Sequence, residues 1–166
     1  MNTIYVETSI VSHATARPST DIQIAALQEQ ARNWWTIERP HFELVTSQLV
    51  IDEASAGDPF AAAARLKLLE GLPTVPINED VRNLARAIVL ASMMPKKAAA
   101  DALHVAAAAV AGVQYLLTLN CKHIANAHEL PRVYRLLRNN GFGQLLICTP
   151  AEFLGGQDDD DKEPNS

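Results

Sequence analysis

Apolar residues along this chain fall into two alternating rhythms. Short runs rich in β-branched and aromatic side chains mark candidate strands at 3–6, 43–46, 74–77, 114–118 and 144–148. Longer segments between them carry helical spacing. In 21–38, Ile24, Leu27, Ala31, Trp34 and Trp35 share one face; in 79–92, Val81, Leu84, Ala85, Ile88 and Val89 form an unbroken stripe. A helix over 128–139 turns Leu130, Val133, Tyr134 and Leu137 inward, and Asn140-Gly141 closes it. Asp58-Pro59 reads as an N-cap followed by proline at the first helical position. Pro73 and Pro76 flank 74–77, which suits an edge strand. No internal repeat appears, and no Gly/Ser-rich linker divides the body. Parallel strands need long crossovers, so this alternation predicts an α/β domain over 1–154. Its mainly parallel sheet of four or five strands should have helices on both faces.

Composition narrows the picture. A chain of 166 residues, 48% hydrophobic and 20% charged, is long enough to bury one proper core. The net charge of −5 misleads. The last nine residues hold five of the 19 acids and one of the 14 bases, leaving 14 acids against 13 bases in the other 157. A nearly neutral body needs a local basic patch to hold a polyanion. The tail 155–166 has no apolar residue and is expected to be disordered. Its Asp-Asp-Asp-Asp-Lys also spells an enteropeptidase site, so an artificial and a natural origin both stand. The stretch 98–117 approaches membrane length, but Asp101, His104 and Gln114 break it. Two cysteines fit a reducing compartment, and the expectation is a cytoplasmic protein without a membrane span.

Four isolated polar residues then stand out: Glu7, Glu53, Asp101 and Asn120. Each has an ordinary alternative. Glu7 with Thr8 and Ser9 suits a cap on a helix over 8–15. Glu53, with Asp52 and Asp58, suits a solvated face. Asp101 favours the dipole of a helix first turn, and Asn120 a turn. In a doubly wound sheet, however, strands 3–6, 43–46 and 114–118 end on one edge. Glu7 and Asn120 then lie there directly, Glu53 follows within a helical stretch, and Asp101 opens the helix that enters 114–118. Ligands sit at such edges. Four oxygen donors there suit a hard cation, Mg²⁺ or Mn²⁺, which activates water against a phosphodiester.

The order and context of these residues resemble the PIN domain, the nuclease fold of the VapC toxins. Tyr5-Val6-Glu7-Thr8-Ser9 matches the opening acid-Thr/Ser motif, and Leu49-Val50-Ile51-Asp52-Glu53 the second acid. Ala100-Asp101-Ala102-Leu103-His104 matches the third, and Thr118-Leu119-Asn120 the family's Thr-x-Asp. The resemblance implies a three-layer α/β/α fold and a metal-dependent endoribonuclease, often the toxin partnered by an antitoxin protein. It makes Glu7, Glu53, Asp101 and Asn120 the catalytic and metal-binding set. The family usually has Asp where Glu7 and Asn120 stand, so three carboxylates remain for one divalent ion. A second ion would lose a charged ligand.

For an RNA substrate, Lys96, Lys97 and Lys122 flank these motifs and are the expected phosphate contacts, with Thr8 and Ser9 positioning water or ligand. Arg17 follows the first motif, whereas Arg132, Arg135 and Arg138 read as a solvated helix face. His104 is a candidate to orient Asp101 or line the crevice. Cys121, His123 and His128 have poor spacing for zinc. No G-x-G-x-x-G or Walker-type loop is present. The other reading is a PIN-like RNA- or protein-binding module, weakened as an enzyme by Asn120. Adjacent Trp34 and Trp35 lie about 100° apart on a helix, so one indole borders the stripe. With the family resemblance, that points to a homodimer.

Overall fold

A computed structural model describes residues 1–91 and 98–153. Lys96, Lys97 and the acidic tail fall outside them. Five strands form a single parallel sheet: β1 (Thr3–Val6), β2 (Glu43–Ser47), β3 (Thr74–Val75), β4 (Tyr115–Leu117) and β5 (Leu146–Cys148), in the order β3-β2-β1-β4-β5. The helices are α1 (Thr8–Thr15), α2 (Ile22–Asn33), α3 (Gln48–Ala54), α4 (Pro59–Leu69), α5 (Glu79–Ala91), α6 (Ala99–Val110) and α7 (Leu130–Asn139). α1 packs with α2, α3 and α4, and α5 packs with α6 and α7. The two groups flank the sheet as outer layers of a three-layer α/β/α domain.

Burial explains the order. Ile4, Tyr5 and Val6 of central β1 are all fully buried, as a strand covered on both faces requires. α6 is buried nearly all round, and its Ala102 and Ala106 to Ala109 let its backbone approach the sheet closely. β3 lies at the edge between its two prolines, as the sequence indicates. All five strands are where the apolar runs place them, but β3, β4 and β5 are shorter than those runs. At the far edge, the Tyr134 hydroxyl of α7 accepts a hydrogen bond from Ile147 N at 2.8 Å.

One helix departs from expectation. The segment 21–38 is α-helical only to Asn33 and continues as a π-helical turn, Trp34–Glu38. Ile24, expected inward, is 42% exposed, while Gln28 is buried. The Gln28 amide accepts from Ser19 N at 3.0 Å and donates to Arg17 O at 3.1 Å, so the loop ahead of α2 satisfies it. Trp34 is fully buried, and Trp35 borders the stripe with the Arg39 guanidinium 5.0 Å above its ring.

The chain runs from β1 outward to β3, then reverses to place β4 on the other side of β1. The crevice beyond the carboxyl ends of β1 and β4 is therefore the topological switch point.

Candidate functional site: an acidic crevice at the switch point

The ladder itself delivers the first acid. Glu7 N donates to Leu117 O at 3.1 Å, extending the β1–β4 pairing one residue and aiming the buried Glu7 carboxylate into the crevice. Its Oε2 accepts from Ser9 N at 3.1 Å, from Thr118 Oγ1 at 2.8 Å and from Ser9 Oγ. Glu7 thus does cap α1. Capping occupies only Oε2; among the described residues no donor reaches Oε1. Ser9 Oγ also accepts from Leu119 N at 2.8 Å and so ties α1 to the segment after β4.

Glu53 arrives from α3, whose start is capped by Ser47 at the end of β2. Its Oε1 accepts from Thr8 Oγ1 at 2.6 Å and lies 2.6 Å from Nε2 of the fully buried His104. Burial alone would raise this carboxyl, but the hydrogen bonds from His104 and Thr8 hold it below its ordinary value. Behind the imidazole, Nδ1 is 2.9 Å from the Tyr5 hydroxyl, itself 2.7 Å from Ser47 Oγ. Burial pushes the Tyr5 phenol up, so it stays neutral.

Asp101, in the first turn of α6, faces Asn120. The Asn120 Nδ2 donates to Asp101 Oδ1 at 3.2 Å, while Asn120 Oδ1 accepts from His123 N at 3.1 Å. The amide is therefore held nitrogen-first towards the acid. Burial, reinforced by the charge of Glu53, holds the Asp101 carboxyl above its ordinary value, against lowering by His123, His104 and the Asn120 amide. Lys122 is exposed two residues beyond Asn120.

All four sequence-selected polar residues thus lie at one edge of the sheet. Glu7, Glu53 and Asp101 each commit one oxygen to the protein, and no described donor reaches the other. One ligand atom each of Glu7, Glu53 and His104 lies within 4.8 Å of the others; the Asp101 carboxylate is not part of that grouping and stands beside it, against Asn120. This carboxylate-rich donor set fits a hard divalent cation. Among the described residues, no such grouping includes Cys121, His123 or His128.

Sequence reasoning gave His104 to Asp101 or the crevice wall; its hydrogen bond goes to Glu53. It also missed Tyr5 and Ser47. The available signal was a tyrosine inside an otherwise aliphatic central strand, because a buried phenol needs a partner.

Fold and site together define a doubly wound α/β/α domain with an acidic crevice at its switch point. The family model of the PIN domain matches residues 4–129. The chain belongs to the PIN domain family, whose members are generally metal-dependent nucleases. No curated protein matches it. Among the described residues, no helix is long and apolar enough to cross a membrane.

Proposed function

We propose that this protein is a metal-dependent endoribonuclease, the toxin of a toxin–antitoxin pair, using Mg²⁺ or Mn²⁺. The observation that carries the reading is the acidic crevice at the switch point, where Glu7 and Glu53 lie close enough to share one ion and the charge of Glu53 acts on Asp101, itself hydrogen-bonded to Asn120. In this reading the three carboxylates hold the ion, with Asn120 beside them. A bound ion of this kind supplies an activated water and offsets charge on the scissile phosphate. The chain's own contribution is geometric. Thr8 and His104 orient Glu53, Ser9 and Thr118 orient Glu7, and Asn120 orients Asp101. We assign the exposed Lys122, with Lys96 and Lys97, the role of contacting an incoming phosphate. A cytoplasmic setting and a homodimer belong to this reading, and sedimentation at tens of micromolar tests the dimer.

Single-stranded RNA should be cleaved with Mn²⁺, spared with chelator, and cleaved at least ~10²-fold more slowly by Asp101→Ala, the scale of losing charge stabilisation. Metal-dependent cleavage unchanged in Asp101→Ala would identify a contaminant and defeat the proposal. One observation favours a second reading. The neutral Asn120 presents an N–H group to Asp101 where the family motif has an acid, which suits a PIN-like module kept for binding RNA or protein. Metal-independent RNA binding without cleavage would select it.

A further inference from the structure

We infer that His104 is a positioning residue for Glu53 and not a metal ligand, and that Tyr5 and Ser47 hold it in the required tautomer. This rests on the nuclease reading above and adds a buried hydrogen-bonded line behind its ligands. The line runs through three elements: Ser47 at the end of β2, Tyr5 in β1 and His104 in α6. Its links are 2.7, 2.9 and 2.6 Å, ending on Glu53 Oε1.

Proton accounting selects a direction. Val50 N donates to Ser47 Oγ at 3.3 Å, so the Ser47 proton is free to go to the Tyr5 oxygen. The Tyr5 proton then goes to His104 Nδ1, and His104 donates Nε2–H to Glu53. Every proton has one acceptor. Reversing the line in a neutral imidazole would set a bare Nε2 lone pair 2.6 Å from a carboxylate oxygen, which is repulsive. Although His104 is near enough to Glu7 and Glu53 to complete a three-ligand cluster, both ring nitrogens are already engaged. A metal at Nε2 would break the Glu53 contact, and a metal at Nδ1 would displace Tyr5. Orienting groups of this kind commonly change metal affinity by about 10–100-fold when removed.

The test begins with long-range ¹⁵N–¹H spectra of the full chain labelled at histidine, recorded without metal and through an Mg²⁺ titration. His104 Nε2 should carry a proton at both ends of the titration. A bare Nε2, or one that loses its proton as Mg²⁺ is added, would overturn the inference. Mn²⁺ binding then separates positioning from packing. His104→Gln keeps an N–H near the Nε2 position and should retain affinity within a few-fold. His104→Ala should lose about 10–100-fold. Tyr5→Phe, which removes only the hydroxyl, should fall between them with its melting transition still cooperative. Equal losses in His104→Gln and His104→Ala would count against positioning and for direct ligation. Failure of the wild-type chain to bind Mn²⁺ would sink the nuclease reading instead, and the metal-free spectrum would still decide the tautomer.

Discussion

The two ends of the sheet are built from opposite materials. Around the amino-terminal ends of β2 and β4, Trp34, Phe42, Tyr115 and Phe153 pack ring against ring with centroids 5.4 to 6.2 Å apart. Edge-to-face contacts dominate there, a geometry that adds stability beyond area burial. At the carboxyl end, the carboxylates of Glu7, Glu53 and Asp101 line one crevice, and burial holds the Asp101 carboxyl above its ordinary value. The first end stabilises the domain. At the second, Asp101 costs stability until an opposing charge arrives, and the acid persists because the apolar layers hold it in place. Stability and chemistry are thus separated along the strand axis, which permits experiments that disturb one without the other.

The largest effect expected is at the aromatic end. Trp34→Ala should destabilise by about 3–5 kcal/mol, the usual range for emptying a buried tryptophan site. Chemical denaturation measures it, and a loss under 1 kcal/mol would mean that the cluster is not what anchors α2. Trp34 also leaves its Nε1 without a hydrogen-bond partner among the described residues, so part of its burial energy is already offset.

At the other end, Asp101→Asn should reduce metal-dependent cleavage at least ~10²-fold. The same substitution should raise the metal-free Tm, on the order of 1–2 °C, because it removes a charge that folding disfavours. A lower Tm would show that the carboxylate supports the fold, contrary to its raised pKa.

Asn120→Asp sharpens the contrast further. It exchanges an N–H facing Asp101 for a second carboxylate, so the metal-free protein should lose about 1 kcal/mol, as other like-charge contacts do at partly buried sites. Added Mn²⁺ should return that stability and bind more tightly than in the wild type. If cleavage appears only in the variant, the natural chain is a binding module derived from an enzyme.

The smallest effect is in pH. A folded-state pKa above the unfolded one makes ionised Asp101 destabilising at neutral pH. That penalty shrinks as pH falls through the raised value and is gone near the ordinary aspartate value. The Tm advantage of Asp101→Asn should shrink over that window. Glu53 has the opposite sign: its depressed pKa contributes stability above its unfolded value, lost as pH falls through the folded one. Glu53→Gln should therefore lower the Tm at neutral pH and converge with the wild type only in stronger acid.

The strand and helix order was legible from the chain because it depends on local periodicity. A run such as Ile4-Tyr5-Val6 and a stripe such as Val81, Leu84, Ala85 and Ile88 bury the same faces in any compact arrangement. Strand order supplied the rest of the site's address, since three parallel strands must end on one edge. Thus Glu7, Glu53, Asp101 and Asn120 were recognisable as neighbours at that edge. Length and phase were less legible. The π turn at 34–38 and the exposure of Ile24 follow from what α2 meets in space, which no single helical period records.

What only tertiary structure decided is who holds whom. His104 is three residues from Asp101 in sequence, one turn along α6, yet its ring reaches Glu53, 51 positions away. Tyr5 and Ser47 join that line from neighbouring strands, and Asn120 turns its nitrogen to Asp101 because His123 N takes its oxygen. Side-chain direction and proton direction are set by contacts made across the fold, and short-range pattern carries no information about them. Chain order put the acids at one edge of the sheet; packing between α6, β1 and β2 determined which oxygen of Glu53 the protein keeps for itself.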